Sequence, residues 1–307
     1  MREMWSWRRT RLWLLRSGHS GSFAALSPRM ELPVANREQS FREFEHAGWE
    51  NTGVVANYHE HLSCVTTQSA QALLDAVGVR SGSRVLDVAT GGGYIAGAAA
   101  QRGAEATGID FSATQLQMAR DKYPTVRFEQ ADAEALPFAP QYFDAVVNGF
   151  GMCHFSNPDI ALSEAFRVLK TGGRVAFTVW DIPERAVAFG EFYSAVRSHG
   201  SMDVGLPAGP NFFLFSDPEQ STKALVAAGF VSASCRQVPQ VWRVSEPDKV
   251  FQSIADGSVR AAATLRGQSP AAREAIRASM RDAMAAYRRG DVFEVPVPAV
   301  LATAVKP

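Results

Sequence analysis

Short apolar segments alternate with segments of helical spacing between positions 84 and 180. The apolar segments are rich in valine and end in glycine or polar residues, which is the pattern of buried β-strands. Each is followed by a stretch of about a dozen residues that is typical of a helix. This alternation predicts a doubly wound α/β domain with a mostly parallel, seven-stranded sheet. The first five predicted strands cover residues 84–89, 106–110, 126–130, 142–148 and 174–180.

The pattern changes on both sides of this region. The preceding residues are helical and polar-rich, whereas the following residues mix glycine, proline and further helical segments. We therefore predict an N-terminal helical lid at 30–78 and a domain at 79–307, with lid insertions at about 183–216 and 246–290. The strands through Val241–Val244 and from Val292 to Val305 are predicted to be two antiparallel edge strands that enclose the second insertion.

Residues 1–29 differ from the rest because they carry six arginines, several serines and a single acidic residue. Such a segment is typical of a mitochondrial transit peptide. We favour instead an upstream start, with the functional protein beginning at Met30 and located in the cytoplasm, and keep the mitochondrial transit peptide as the alternative. In either case we predict a disordered segment that takes no part in the fold.

The overall composition narrows the choice of partner. Lys and Arg together number 31, as do Asp and Glu, so the formal net charge is zero. A nucleic-acid or membrane-surface partner requires a basic excess, and a membrane span requires a longer apolar run than any present here. The three cysteines lie far apart and predict reduced thiols. His59 and His61 are predicted to be solvated residues of a helix, so no metal is expected. A homodimer is compatible with this composition.

A glycine-rich turn follows the first strand. Asp87-Val88-Ala89-Thr90-Gly91-Gly92-Gly93 leads directly into an Ala-rich helix, so backbone N–H groups face a ligand above the sheet. Asp110 lies 23 residues beyond Asp87, at the end of the second strand, where a carboxylate accepts the hydroxyl groups of a ribose. The two features together predict an adenosine-containing ligand.

Two cofactors fit this turn at the level of sequence. Gly91, Gly93 and Ala96 satisfy a dinucleotide pattern, so an NAD(P)-dependent oxidoreductase is an alternative. Asp87 opposes a pyrophosphate but suits the ammonium group of a methionine moiety. Asp132 follows the third strand, where it can accept from an adenine amino group. These features favour S-adenosylmethionine as the cofactor.

The region from Val85 to Trp180 resembles the class I methyltransferases, specifically the branch of ubiquinone and menaquinone biosynthesis C-methyltransferases. The resemblance rests on V-L-D-V-A-T-G-G-G, A-T-G-I-D-F-S, A-D-A-E-A-L-P-F, F-D-A-V-V-N-G-F-G-M-C-H-F and E-A-F-R-V-L-K-T-G-G-R-V. Ala89 stands where the wider family has glycine, but alanine is typical of this branch. Gly92 stands where the branch often has threonine, and Thr171 where proline is usual.

The resemblance implies an S-adenosylmethionine-dependent methyltransferase and a set of cofactor contacts. Gly91 and Gly93 approach the methionine part, Asp110 holds the ribose, and Asp132 with Ala133 borders the adenine. The transferred methyl group points toward Asn148 and Gly149. The full set of predicted cofactor-binding residues is Tyr58, Asp87, Ala89, Gly91, Gly92, Gly93, Asp110, Phe111, Asp132, Ala133, Asn148 and Gly149.

The acceptor is predicted to be a small, apolar or aromatic molecule. Phe212, Phe213, Phe215 and Trp242 are candidates for its pocket, with core packing as the alternative. His154, just beyond the fourth strand, is the candidate catalytic base, with capping of the next helix as the alternative. A cofactor-binding homologue that has lost methyl transfer is a further alternative for the whole chain.

Overall fold

A seven-stranded sheet forms the centre of the protein in a computed structural model, which describes residues 35–307 and the side chains from residue 41 onward. The strand order is β3-β2-β1-β4-β5-β10-β6. All strands are parallel except β10, which runs antiparallel to both of its neighbours. The strands are β1 (Arg84–Val88), β2 (Glu105–Asp110), β3 (Arg127–Gln130), β4 (Phe143–Gly149), β5 (Leu169–Trp180), β6 (Val231–Val238) and β10 (Ala299–Val305).

Hydrophobic side chains of the central strands alternate between the two faces of the sheet, because successive residues of a strand point in opposite directions. On β1, Val85 packs into one core and Leu86 into the other, and on β4 Val147 and Val146 divide in the same way. All four side chains are buried. A parallel sheet is covered on both faces by helices and therefore has an apolar layer on each face. The predicted doubly wound α/β class is confirmed.

Twelve α-helices cover the described residues, and most of them lie against these two cores. Their bounds are α1 (Ala35–Glu50), α2 (Thr52–Asn57), α3 (Ser63–Thr66), α4 (Ala70–Ala76), α5 (Tyr94–Gln101), α6 (Ala113–Lys122), α7 (Pro158–Val168), α8 (Val187–His199), α9 (Pro218–Ala227), α10 (Asp248–Gly257), α11 (Arg260–Arg266) and α12 (Pro270–Ala285). A π-helical turn, Tyr58–Leu62, joins α2 to α3. Within the described residues, no helix combines the length and hydrophobicity needed to cross a membrane.

The strands after Trp180 differ from the prediction. The sixth strand of the main sheet is Val231–Val238, and only β10 is antiparallel, with β6 rather than β10 at the edge. The segments β7 (Val241–Val244) and β9 (Val292–Pro296) pair with each other and with β8 (Arg288–Arg289) in a separate three-stranded sheet. The prediction of two antiparallel edge strands was therefore wrong for Val241–Val244.

The predicted domain limits stay predictions. The leader at 1–29 lies outside the described residues. The helices predicted between 30 and 78 are present from Ala35 onward, and α10 to α12 occupy the predicted insertion at 246–290.

Candidate active site

A cleft lies at the carboxyl ends of β1, β2 and β4, between the sheet and the N-terminal helices. This is the edge at which doubly wound sheets bind their ligands. Three adjoining cavities make up the cleft, and His154 borders all of them. The outer cavity (about 560 Å³) is lined by Arg42, Phe111 and Asp132, the loop cavity (about 600 Å³) by Gly91, Asp110 and Gly149, and the aromatic cavity (about 670 Å³) by Trp180, Phe189, Tyr193 and Phe212.

The glycine loop adopts a backbone conformation that residues with side chains rarely adopt. Gly91 and Gly93 have φ values of 52° and 77°, in the left-handed region that glycine occupies without steric cost. Ala89, which borders the outer and loop cavities, also has a positive φ of 52°. A non-glycine residue held in this region is strained, and such strain is concentrated at functional sites.

Asp87 lies beneath the loop and holds it in shape. Its Oδ2 accepts hydrogen bonds from Thr90 Oγ1 at 2.6 Å and from the backbone N–H of Ala96 at 3.0 Å. The residue is 1% exposed, and its Oδ1 has no hydrogen-bond partner among the described residues. Burial raises the pKa of this carboxyl to about 7. Asp87 thus contacts the cofactor region through the loop, and its side chain lines none of the three cavities.

Asp110 lies where the outer and loop cavities meet. Its Oδ2 accepts from the Gly91 N–H at 2.9 Å, and its Oδ1 accepts from the Ser112 N–H at 3.0 Å. These bonds fix the carboxylate beside the glycine loop and leave further lone pairs toward the cleft. Burial raises its pKa to about 6 in spite of these hydrogen bonds.

The outer cavity brings together Phe111, Asp132 and Ala133, as the sequence predicts. It also contains side chains from α1 that the sequence analysis missed. Arg42 forms ion pairs with Asp132 and Glu134 across the mouth of the cavity. The ring of His46 lies 5.3 Å from that of Phe111, measured between centroids. Helix α1 therefore closes the outer cavity from above.

Asn148 and Gly149 end β4, and they contribute in different ways. Gly149 lines the loop cavity. Asn148 is buried, donating to the Val88 carbonyl at 2.7 Å and accepting from the N–H groups of Gly151 and Met152 at 3.0 and 3.1 Å. Asn148 therefore ties the chain beyond β4 to the end of β1 through both its amide nitrogen and its amide oxygen.

His154 pairs with a carboxylate from the lid. Its Nδ1 lies 2.9 Å from Glu45 Oε2, and the same oxygen accepts from Trp49 Nε1 at 3.2 Å. The Trp49 ring packs edge-on against the imidazole, with centroids 5.3 Å apart. Helix α7 begins at Asn157–Pro158 without a side-chain cap. His154 therefore points into the cleft, and the alternative that it caps α7 was wrong.

The residues Tyr58 and His59 lie on the π-helical turn that faces the glycine loop. Tyr58 borders the loop and aromatic cavities and hydrogen-bonds to Thr66 Oγ1 at 3.1 Å; burial raises its pKa to about 12. His59 is not a solvated residue as predicted, because its two ring nitrogens lie 2.9 Å from Tyr94 Oη and 2.7 Å from Gln115 Oε1. A Cβ on Gly92 would lie 2.5 Å from this imidazole, so a larger residue there requires the His59 ring to shift.

The four predicted acceptor residues separate into two groups. Phe212 lines the aromatic cavity, and Phe213 packs edge-on behind it with centroids 5.0 Å apart. Phe215 (5% exposed) packs on Phe177 beneath the sheet, and Trp242 (1% exposed) belongs to the opposite core. Of the four, only Phe212 lines one of the three cavities; Phe213, Phe215 and Trp242 line none of them.

The lining that sequence reasoning missed comes mainly from one helix face. Arg42, Glu45 and Trp49 are spaced three and four residues apart on α1, so they project from the same side of the helix. That spacing is the signal that could have identified them. Within residues 41–307, no group of three His, Cys, Asp or Glu side chains is arranged to hold a metal ion.

Comparison with known proteins gives consistent matches. The family model described as "Methyltransferase domain" matches residues 86–177. A demethylmenaquinone methyltransferase of Thermus thermophilus is 42% identical over 163 residues, which are 48% of this chain and 74% of that protein. One from Renibacterium salmoninarum is 38% identical over 127 residues, which are 41% of this chain and 52% of that protein. The chain thus spans only about half the length of some of the curated relatives it matches.

A solved structure supports the fold at a greater distance. Phosphoethanolamine N-methyltransferase 2 of Haemonchus contortus, determined with phosphomonomethylethanolamine and S-adenosylhomocysteine, gives a TM-score of 0.54 at 21% identity. The superposition covers 90% of this chain and 61% of that one. The matches with methyltransferases favour the methyltransferase interpretation over the nicotinamide oxidoreductase. Together with the strand order and the glycine loop, they establish that the chain belongs to the class I S-adenosylmethionine-dependent methyltransferases, in the branch of the ubiquinone and menaquinone C-methyltransferases.

Proposed function

We propose that the protein transfers a methyl group from S-adenosylmethionine to a small aromatic acceptor of the quinol type. The observation that carries the proposal is the arrangement of the cleft. A carboxylate suited to a ribose adjoins a glycine loop on one side, and an aromatic cavity opens on the other side of His154. The names of the relatives from Thermus and Renibacterium supply the quinone chemistry of the acceptor.

The residues present fit the cofactor. Gly91 and Gly93 leave the loop backbone bare of side chains, so a methionine moiety can approach its N–H groups. Asp110 can accept from both ribose hydroxyls, and Asp132 and Ala133 border the space left for an adenine. The Oδ1 of Asp87 is buried and unpartnered, so the ionised carboxylate would place a negative charge beneath the loop that the methionine ammonium approaches.

The chemistry divides between cofactor and protein. When bound, S-adenosylmethionine supplies an electrophilic methyl group on a positively charged sulfur. The protein orients the acceptor toward this methyl group and excludes water. Because both reactants are held in place, the reaction becomes effectively intramolecular. The rings of Trp180, Phe189 and Phe212 give the acceptor flat apolar walls. Arg260, whose Nη1 donates to the Pro207 carbonyl at 2.9 Å, is a basic group on the same lining.

The first test is binding of S-adenosylhomocysteine, measured by calorimetry. We expect Asp110→Ala to weaken binding by about 1.5–3 kcal/mol, the size of hydrogen bonds to a charged group. Asp144→Ala is the matched control, because this carboxylate pairs with Lys170 at the start of β4, away from the cleft. Equal affinity of wild type and Asp110→Ala would remove Asp110 from the site, and no binding at all would contradict the proposed function.

The second test is methyl transfer to a reduced naphthoquinone, followed as release of S-adenosylhomocysteine. Binding without transfer to any quinol or phenol would favour a cofactor-binding homologue that lacks the activity. The predicted absence of a nucleic-acid partner is part of the same proposal and is supported by the equal numbers of basic and acidic residues. The proposal also includes a cytoplasmic location, which fractionation would test.

A further inference from the structure

A carboxylate from the lid is buried against the imidazole at the centre of the cleft. Glu45 is 2% exposed, and the partners of its Oε2 are Trp49 Nε1 and His154 Nδ1. Glu45 and His154 are 109 positions apart in the chain, one on α1 and the other just beyond β4. Burying a carboxylate is costly unless it is paired, so this contact is a specific arrangement of the lid and not an incidental one.

We propose that Glu45 is a positioning residue that sets the tautomer and the basicity of His154, and that His154 is the group that takes the proton released by the acceptor. The inference rests on the proposed function, because it assigns the handling of the proton in the same reaction.

The hydrogen bond to Glu45 decides which nitrogen of His154 is available. A carboxylate only accepts, so Nδ1 carries the proton of that bond. The neutral imidazole then has its lone pair on Nε2. Besides Glu45, the described side chain that hydrogen-bonds to the ring is the Cys153 thiol, which is a weak partner. Since His154 borders all three cavities, this lone pair is available to a molecule in the cleft.

The proton balance of methylation calls for such a group. The methyl group is transferred without an electron pair, so the acceptor provides the pair for the new bond and the electrons of the broken bond remain on sulfur. A hydroxylated aromatic acceptor loses one proton in the process. Nε2 of His154 takes that proton and becomes an imidazolium, whose charge is balanced by Glu45. The arrangement resembles in its logic the carboxylate-oriented histidine of hydrolytic triads.

The charges around the imidazole set the pH above which it is a base. Burial lowers the pKa of His154, but Cys153 and Glu45 outweigh it and raise the pKa well above 6.5. The titratable and charged groups that face His154 or share its cavities are Arg42, Glu45, His46, Tyr58, Asp110, Asp132, Glu134, Cys153, Tyr193 and Arg260. Of these, Glu45 is the carboxylate in direct contact with the ring.

The test is the titration of His154 in the purified full chain without added ligand, followed by the NMR signals of its imidazole. Glu45→Gln removes the charge while its amide oxygen can still accept from Nδ1 and from Trp49. We expect the pKa of His154 to fall by about one to three pH units, the range for loss of an opposite charge at this distance. Glu45→Asp retains the charge and should restore much of the shift. Assignment uses His154→Asn, which removes one of the six histidine signals.

Glu43→Gln is the matched control, because Glu43 is an exposed carboxylate on the same helix, two positions away. It should leave the titration of His154 unchanged. In single-turnover methyl transfer, the wild-type rate should rise with pH through the pKa of His154, and Glu45→Gln should move that rise to lower pH. An unchanged titration in folded Glu45→Gln overturns the inference, whereas absent cofactor binding with an altered titration overturns only the proposed function.

Discussion

Different kinds of contact hold the two sides of the cleft: the sheet side, formed by the ends of β1, β2 and β4, and the lid side, formed by the N-terminal helices. On the sheet side, Asp87, Asp110 and Asn148 bond to backbone groups of neighbouring loops and are all buried. On the lid side, long polar side chains reach across to distant residues, as Arg42 does to Asp132 and Glu134. Similarly, Glu50 accepts at the start of α6 from the Ala113 and Thr114 N–H groups.

Because of this difference, we expect the sheet side to determine mainly the stability of the fold and the lid side to determine mainly the access of ligands. Buried bonds to backbone groups belong to the folding of the domain, since breaking them leaves polar groups without partners. Half-exposed ion pairs contribute little to stability but can decide how a lid lies. We therefore expect substitutions on the sheet side to lower the free energy of unfolding, and substitutions of exposed lid side chains such as Arg42 to act mainly on opening of the cleft.

The largest expected effect is that of Asn148→Ala. It leaves the Gly151 and Met152 N–H groups and the Val88 carbonyl without their partner, so we expect the free energy of unfolding to fall by about 2–4 kcal/mol. Arg42→Ala is the lid-side counterpart and should change it by less than about 1 kcal/mol. Urea denaturation of both variants measures the difference. Equal losses in the two would mean that lid and sheet unfold as one unit held by comparable contacts.

A second prediction uses pH to test the sheet side alone. With a pKa of about 6, Asp110 loses the charge that a ribose prefers as pH falls, so affinity for S-adenosylhomocysteine should drop about tenfold between pH 7.5 and pH 5. Asp110→Asn should remove the part of this dependence that is centred near pH 6.

Titration of the buried carboxyl groups also changes the stability of the fold, and this change has the opposite dependence on pH from the change in affinity. The pKa values of Asp87 and Asp110 in the folded chain, about 7 and about 6, lie above the usual 3.8. Between pH 3.8 and these raised pKa values, the folded state therefore binds more protons than the unfolded state. The stability that the two carboxyl groups contribute is complete below about pH 4 and is lost as pH rises through 6 to 7. Affinity and this contribution to stability should thus move in opposite directions. A parallel fall of both with acid would point to general unfolding instead of titration of Asp110.

The smallest effect concerns His59, which fastens the lid to the glycine loop. His59→Ala removes its contacts with Tyr94 and Gln115, and we expect local opening of residues 52–62 to become easier by about 1 kcal/mol. Amide hydrogen exchange of these residues measures it. His61→Ala, on the same turn, is the control and should leave the exchange unchanged. If the two variants exchange alike, the lid is held elsewhere.

The sequence was sufficient for those parts of the fold that depend on local pattern. The alternation of short apolar runs with helical segments predicted the parallel strands, and the glycines of the loop pointed to the edge of the sheet where the cavities lie, because both signals lie within a few residues of the feature they create. The segment Val241–Val244 was misassigned because its partner, β9, lies some fifty residues away and a short strand has no local mark of the sheet it joins.

The candidate site was predictable only on the sheet side. Glu45 and His154 meet through the docking of α1, and no periodicity connects two positions so far apart. Phe212 and Phe215 are nearly adjacent and identical in type, yet one lines a cavity and the other packs under the sheet. An aromatic residue gives the same signal in a core and in a pocket, because both environments are apolar.

The contact between His59 and Gly92 has a consequence for how this chain can vary. A side chain at position 92, such as the threonine frequent in this branch, would collide with an imidazole that is fixed at both nitrogens. The two positions are therefore expected to be inherited as a pair. A homologue with threonine in the loop should carry a smaller residue on the lid, and a chimera that joins the lid of one to the loop of the other should close poorly even though each half is intact.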